Sequence, residues 1–153
     1  MLVPDVSLRF RFDKGFAIDA WLALYHAAGY NRDWTGPNAE AMRAHAYLVV
    51  TVWQSLRPGS GHARRPGSGQ AETMIGTLTV LSDGLNYALI EDVVVHPAWR
   101  RQGIGSTLVR YALDRLRAMP PGVVQLHAVP GAEDFYARLG FVASGGTLMY
   151  LTR

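Results

Sequence analysis

Two arginines, a glutamine and two glycines directly follow the most apolar stretch of the chain, and this combination could hold an anion. The segment HPAWRRQGIGSTLV, residues 96–109, comes after ALIEDVVV. The first N–H groups of a helix lack intrahelical partners and carry partial positive charge, so a helix that begins here would attract phosphate. Gly103 and Gly105 would let the backbone approach the anion, and Arg100 and Arg101 would add full charges. The pattern predicts a pyrophosphate-binding turn.

This glycine turn differs from two common nucleotide-binding motifs. No Gly-Lys-Ser/Thr follows it, as a Walker A loop requires, and Leu108 stands where a dinucleotide-binding turn has its third glycine. Glycines that simply close a tight turn are the alternative interpretation.

Glu91 and Asp92 are acidic residues inside an otherwise apolar strand. Their burial is costly unless they face a cleft or are paired, and a pair with a neighbouring arginine is the structural alternative. Adjacent strand residues point to opposite faces, so only one would reach a shared substrate unless a bulge intervenes. His96 and His127 are reserve candidates for a base. The five histidines have no metal-ligand spacing, and no metal is expected.

The elements that must position these residues follow from hydrophobic periodicity and turn signals. Their order is β-α-α-β-β-β-α-β-α-β-β. The strand, helix and strand around residues 87–129 imply a right-handed crossover and a parallel pair within an otherwise antiparallel sheet. Strands are predicted at residues 6–12, 47–54, 72–81, 86–95 and 123–129, a final hairpin at 141–152, and helices within 16–29, from 37 to 46, at 106–118 and at 131–140.

Length and composition favour one globular domain over residues 1–153. The chain is 49% hydrophobic and 18% charged and has no cysteine, so we expect one packed core without disulfides or a cysteine nucleophile. The apolar runs are too short to span a membrane and the first residues lack a signal-peptide pattern, which favours a cytoplasmic protein with no membrane partner. The Gly-, Pro-, Ser- and Arg-rich stretch at about residues 57–70 predicts a mobile loop.

The basic residues are concentrated rather than spread over a long surface. The net charge is +3, and several arginines lie at residues 57–65 or near the glycine turn, without interleaved aromatic residues. This distribution favours a local anion pocket over a nucleic-acid groove, so no nucleic-acid partner is expected.

Three segments carry the motifs of one family at the family's spacing. Val95-His96-Pro97 ends a strand as Val-x-Pro, residues 100–105 follow as Arg/Gln-x-x-Gly-x-Gly/Ala, and FYARLGF at 135–141 is similar to a Tyr-x-x-x-Gly-Phe segment. The chain therefore resembles the GCN5-related N-acetyltransferases (GNAT) over nearly its whole length. The resemblance implies an α+β fold of mixed αβα layers, with a mostly antiparallel sheet and a central, splayed parallel strand pair. It also implies direct transfer of an acetyl group from acetyl-CoA to a primary amine through a ternary complex, without a metal.

The resemblance implies roles for individual residues. Residues 101–106 would bind the pyrophosphate through backbone N–H groups, and the strand at 93–95 would pair edge-on with the pantetheine arm, although a plain core strand is the alternative. Tyr136 corresponds to the general acid, and a phenol with a pKa of about 10 is protonated at neutral pH; an ordinary core aromatic is the alternative. The implied cofactor-binding residues are Val93, Val94, Val95, Arg100, Arg101, Gln102, Gly103, Ile104, Gly105 and Ser106.

The acceptor side is implied less directly. The segment IED is similar to the acidic pair of polyamine-acetylating relatives, so Glu91 and Asp92 would attract a cationic amine and remove its proton through water. Several segments, among them ALYHAAGYN, resemble the small bacterial branch that includes arylalkylamine (serotonin-type) acetyltransferases, and there Tyr30 and Trp34 would line the pocket for a small-molecule amine. HAVPGAED lacks the asparagine of many N-terminal acetylases. A protein or peptide amine, a regulatory acyl-CoA-binding module without catalysis, and a homodimer remain open alternatives.

Overall fold

The computed structural model describes residues 6–30, 35–56, 72–120, 122–146 and 149. Five strands, four helices and one 3₁₀ turn follow one another within these residues. In chain order they are β1 (Val6–Arg11), α1 (Ile18–Ala27), α2 (Gly36–His45), β2 (Leu48–Leu56), β3 (Glu72–Ser82), β4 (Tyr87–Val95), the 3₁₀ turn (Pro97–Trp99), α3 (Ile104–Leu116), β5 (Val123–Leu126) and α4 (Glu133–Ala137).

The strands form one mixed sheet in the order β1-β2-β3-β4-β5. The first four strands are antiparallel to their neighbours, and α3 crosses over so that β4 and β5 are parallel. The β4–β5 pairing covers only Tyr87–Ile90 against Val123–Leu126. Because β5 ends at Leu126, β4 has no parallel partner beyond Ile90 in the described part of the chain. The predicted α+β fold, a mostly antiparallel sheet with one parallel pair, is confirmed.

Each face of the sheet buries an apolar core. The core under α3 contains Val50, Val52, Ile75, Leu78, Val80, Ala88, Ile90, Ile104, Leu108, Val109, Ala112 and Leu116. The opposite core, under α1, contains Phe16, Ile18, Trp21, Leu24, Tyr25, Ala39, Ala46, Val49, Trp53, Met74 and Val94. Helices α1 and α3 are therefore fixed to opposite faces of the sheet.

Helix α3 is held to the sheet by one apolar face. Its buried residues recur three or four positions apart, as on one side of a helix: Ile104, Leu108, Val109, Ala112 and Leu116. Each large side chain buried in this way stabilises the fold by about 1.5–3 kcal/mol. Because the first of them is the first residue of the helix, the packing fixes the N-terminus of α3 beside the end of β4.

Gly76 of β3 allows the close approach of that N-terminus. A Cβ at Gly76 would lie 2.6 Å from Cγ1 of Val52 and 3.3 Å from Cγ2 of Ile104. Any side chain here would push the first turn of α3 away from the sheet. The sequence pattern did not single out this residue, since glycine inside a strand also marks bulges and bends.

Several predicted boundaries change. Helix α3 begins at Ile104, two residues before the predicted start, because Gly103 provides its left-handed N-cap. Strand β5 and helix α4 are shorter than predicted. No strand is assigned within residues 141–146, which include the first half of the predicted final hairpin. The rest of that hairpin, apart from residue 149, and the loop predicted at 57–70 lie outside the described residues.

Candidate active site

A bulge in β4 lies at the acidic pair. Thr77 pairs with Val94 and Thr79 with Glu91, so Leu78 alone on β3 faces both Asp92 and Val93 on β4. Asp92 adopts φ = 52°, a left-handed conformation that aspartate tolerates better than most residues with a Cβ. Glu91 and Asp92 therefore lie at a bulge, where the rule that adjacent strand residues point to opposite faces does not hold.

The bulge also changes which side chains face which core. Before it, Ala88 and Ile90 lie in the core under α3; after it, Val93 and Val95 pack against that core while Val94 joins the other. Even-numbered residues thus give way to odd-numbered ones on the α3 side. Glu91 and Asp92 occupy the point of change, and both are half-buried.

The end of β4 directs backbone groups toward the gap between the parallel strands. The N–H of His96 donates to the Ile75 carbonyl of β3 at 2.8 Å. Neighbouring residues of an antiparallel strand direct their N–H and C=O groups to opposite sides, so those of Val95 point away from β3. Since β5 ends at Leu126, this edge has the geometry that an extended ligand could complete as an additional strand.

The glycine turn leads from this edge into α3. Arg101 and Gly103 both have positive φ, 64° and 79°. A Cβ at Gly103 would meet nothing within 4 Å, so the glycine serves the backbone conformation and leaves the space above the turn open. Gly103 provides no side-chain cap, and the free N–H groups of the first helical turn together with the helix dipole favour an anion. The predicted pyrophosphate turn therefore has a fitting backbone.

Two polar side chains of this turn, those of Arg100 and Gln102, donate hydrogen bonds to backbone carbonyls. The Arg100 guanidinium donates from Nε to the Val95 carbonyl at 3.1 Å and from Nη2 to the Ala28 carbonyl at 3.4 Å. Gln102 donates from Nε2 to the Ala98 carbonyl at 3.4 Å. Both arginines are exposed. Of the two, Arg100 is the one whose guanidinium donates to backbone carbonyls of the described residues.

Tyr136 lies on α4, which packs against the beginning of α3. The neighbouring Phe135 ring comes within 3.5 Å of the position that a Cβ on Gly105 would take. Tyr136 is half-buried, with its ring centroid 4.9 Å from Phe135 and 6.0 Å from Phe141, both edge-to-face. Burial raises the pKa of the Tyr136 phenol above its usual value, and the nearby Tyr30 phenol raises it further. Tyr136 therefore keeps its proton throughout the neutral range.

Tyr30 follows α1 and lies near Tyr136. Gly29 turns the chain out of the helix at φ = 86°, and the Tyr30 N–H donates to the Tyr25 carbonyl at 3.0 Å. The Tyr30 ring packs on Tyr25 with centroids 5.6 Å apart, and Tyr25 packs on Trp21 at 5.2 Å. A row of aromatic rings thus leads from the core under α1 to the neighbourhood of Tyr136. Trp34, the other predicted pocket residue, lies outside the described residues.

The two histidines that are reserve candidates for a base lie at the ends of β4 and β5. The Nδ1 atom of His96 accepts the Ala98 N–H at 3.2 Å, which caps the 3₁₀ turn. His127 follows β5 and is exposed. Among the described residues, no three His, Asp or Glu side chains are grouped as a metal site would require. None of the helices in the described part of the chain is long and apolar enough to cross a membrane.

A mixed sheet that opens beside a glycine turn, with a helix N-terminus at the opening, is the architecture of a class of acetyltransferases. The sequence model of the acetyltransferase (GNAT) family matches residues 29–141. The chain belongs to this family, whose members generally use acetyl-CoA as the acetyl donor.

Curated relatives carry acetyltransferase names. GCN5-related N-acetyltransferase 2, chloroplastic, from Arabidopsis thaliana is 30% identical over 86% of this chain and 53% of that protein. Histone acetyltransferase TAP1 from Glycine max is 28% identical over 92% of this chain and 59% of that protein. The chain thus spans about half the length of these relatives.

Solved structures share the fold. A GNAT-family acetyltransferase from Streptococcus pneumoniae superposes with a TM-score of 0.70 at 22% identity, covering 96% of this chain and 99% of the other. Glucosamine-6-phosphate N-acetyltransferase from Arabidopsis thaliana gives 0.61 at 15% identity, covering 96% and 99%. At such identities the likeness concerns the fold alone.

Proposed function

We propose that this acetyltransferase moves the acetyl group of acetyl-CoA directly to the primary amine of a small molecule. The observation that carries the proposal is the placement of Tyr136. Its half-buried phenol keeps its proton and is near Tyr30, and the adjacent Phe135 ring packs against Gly105 in the first turn of α3. A proton donor is needed there because the departing thiolate must be protonated when the carbon–sulfur bond breaks.

The glycine turn and the edge of β4 would hold the donor. The backbone N–H groups of residues 101–106 and the exposed Arg101 charge fit a pyrophosphate, and the Val95 edge fits an extended amide-containing arm. Backbone N–H groups near the bulge would polarise the thioester carbonyl and favour attack by a neutral amine. In the transfer, the amine nitrogen bonds to the acetyl carbon, the carbon–sulfur bond breaks and Tyr136 gives its proton to sulfur. The attacking nitrogen then sheds one proton through water, which leaves a neutral amide and restores the Tyr136 phenol.

The acidic pair and the aromatic row would serve the acceptor. An ammonium group must lose a proton before it attacks, and a carboxylate beside the reacting centre can attract the cation and take up its proton directly or through water. Glu91 and Asp92 stand at the bulge, where either could take this role. Tyr30 would provide an aromatic wall that binds an apolar or cationic amine. The sequence-based resemblance of segments such as ALYHAAGYN to the arylalkylamine branch is what favours this acceptor class.

The test is thiol release from acetyl-CoA across a panel of amines. We expect release to depend on a small primary amine and the acetylated amine to appear in equal amount. Tight binding of acetyl-CoA without release by any amine would favour a regulatory binding module instead.

A protein amine is the second candidate acceptor, and the name of one relative favours it. The Glycine max relative TAP1 is named as a histone acetyltransferase and is similar over 92% of this chain. Histone-tail and N-terminal peptides therefore belong in the same panel. Faster release with peptides than with every small amine would replace the small-molecule proposal with this one.

A further inference from the structure

Arg100 connects two parts of the chain that lie far apart in sequence. Its Nε donates to the Val95 carbonyl at the end of β4, at 3.1 Å. Its Nη2 donates to the Ala28 carbonyl at the end of α1, at 3.4 Å. One guanidinium thus joins the end of β4 to the end of α1, the helix on the sheet face opposite α3.

The bond to Ala28 meets a specific need of α1. The last carbonyls of a helix have no intrahelical donors, and they carry partial negative charge. Ala28 is the C-cap of α1, so a cation that donates to its carbonyl is favourable. Because Gly29 then reverses the chain at φ = 86°, fixing Ala28 also fixes the direction in which the backbone leaves toward Tyr30.

The bond to Val95 places the other end of the bridge at the donor side. The Val95 backbone points into the gap between the parallel strands, as the His96–Ile75 bond requires. A carbonyl oxygen has two lone pairs, so the Arg100 bond leaves Val95 able to accept another donor. The bridge therefore joins the edge proposed for acetyl-CoA to the segment proposed for the acceptor.

We infer that Arg100 is a positioning residue for the acceptor pocket, which holds Tyr30 at a fixed place relative to the donor-binding edge of β4. This inference rests on the proposed function for the identity of the two sites. It differs from the sequence-based prediction, in which Arg100 serves as a phosphate charge. Arg101 remains for that task. Both arginines are exposed, but Arg101 lies on the turn itself, whereas the Arg100 guanidinium donates to the Val95 and Ala28 carbonyls.

The test compares Arg100→Ala and Arg100→Lys with Arg101→Ala as the matched control. Lysine keeps the charge but lacks the fork that reaches two carbonyls at once. The first measurement is hydrogen exchange at the Gly29 and Tyr30 amides, which donate to His26 and Tyr25 in the native protein. Both Arg100 variants should exchange about five- to tenfold faster there, and Arg101→Ala should stay within about twofold of the wild type.

The second measurement is CoA affinity by titration calorimetry. Arg100→Lys should keep the affinity within about threefold, while Arg101→Ala should lose about tenfold through its phosphate contact. With the first amine that stimulates thiol release, Arg100→Lys should raise the KM of the amine more than that of acetyl-CoA. A purely structural role would not produce this split.

Two results would overturn the inference. The first is unchanged exchange at Gly29 and Tyr30 in Arg100→Lys. The second is a loss of CoA affinity in Arg100→Lys that matches the loss in Arg101→Ala, since that would make Arg100 a phosphate ligand. Exchange needs no ligand, so a wild-type protein that fails to bind CoA would contradict the proposed function without altering the exchange result.

Discussion

Tyr30 at the end of α1 lies close enough to Tyr136 on α4 to raise the pKa of the Tyr136 phenol. The two residues belong to opposite faces of the sheet and meet beside the gap between β4 and β5. Burial is the larger cause of the raised pKa, and Tyr30 adds to it because two phenolates side by side repel each other. Tyr30 of the proposed acceptor wall thus interacts electrostatically with Tyr136, the proposed general acid.

Removal of the Tyr30 hydroxyl should lower the pKa of Tyr136. In Tyr30→Phe the repulsion is absent but the burial remains, so the pKa should fall only part of the way toward its usual value. The acid would then lose its proton at lower pH, and the alkaline limb of the kcat profile should move downward in pH. Ultraviolet titration of phenolate formation checks the same shift. In the control Tyr111→Phe, whose ring packs on Phe10 of β1, neither the limb nor the titration of Tyr136 should move.

The proposed acid itself can be removed without loss of ring packing. Tyr136→Phe keeps the contacts with Phe135 and Phe141. We expect kcat to fall about 10²-fold or more while the Kd of acetyl-CoA changes less than about twofold, because the phenol acts in the transfer rather than in donor binding. Stopped-flow thiol release and calorimetry separate the two quantities. Unchanged kcat would remove Tyr136 from the mechanism.

A side chain at Gly103 should weaken CoA binding. Gly103 lies at φ = 79°, so Gly103→Val forces the turn out of its present conformation and moves the N–H groups that would face the pyrophosphate. An affinity loss of about tenfold or more is expected. Gly84→Val is the matched control, since Gly84 has φ = 77° but lies in the β3–β4 turn. Equal losses of affinity in both variants would mean that general strain, not the turn, is responsible.

Two substitutions at Asp92 test how much backbone strain at the bulge affects the free energy of unfolding. Asp92→Gly keeps the left-handed conformation at no steric cost, so it should destabilise the protein less than a β-branched residue does. Asp92→Val should lose about 1–3 kcal/mol, because a β-branched residue is strained at φ = 52°. Urea unfolding measures the difference. If glycine destabilises the protein as much as valine, the conformation at Asp92 is not what the fold requires.

Space at Gly76 should be tested by a paired substitution. Gly76→Ala should destabilise the protein by about 1–3 kcal/mol, because the new Cβ would lie 2.6 Å from Cγ1 of Val52. Adding Val52→Ala removes that atom and should cost less than the sum of the two single changes. A double-mutant cycle by urea unfolding gives the coupling, and strict additivity would show that the two sites do not compete for space.

Most of the fold follows from periodicity, and the site follows only in part. The alternation in β1 and the apolar face of α3 are local signals, and they give the order of the elements up to α4. The position of the bulge cannot be read from ALIEDVVV, because it depends on which residues of β3 pair with this strand. The Arg100 bridge depends on where α1 ends relative to β4, which only the tertiary arrangement determines. Charge beside a glycine turn predicts a phosphate ligand, and for Arg100 this stays a prediction; in the structure its guanidinium donates to two carbonyls.

The most direct test of the account is the rate of thiol release from acetyl-CoA with small primary amines and with peptides, measured for the wild type and for Tyr136→Phe. We expect at least one small amine to stimulate release by the wild type more than any peptide does. We also expect Tyr136→Phe to lose this stimulated release while it still binds CoA. Stimulation by peptides alone, or stimulated release that survives in Tyr136→Phe, would contradict it.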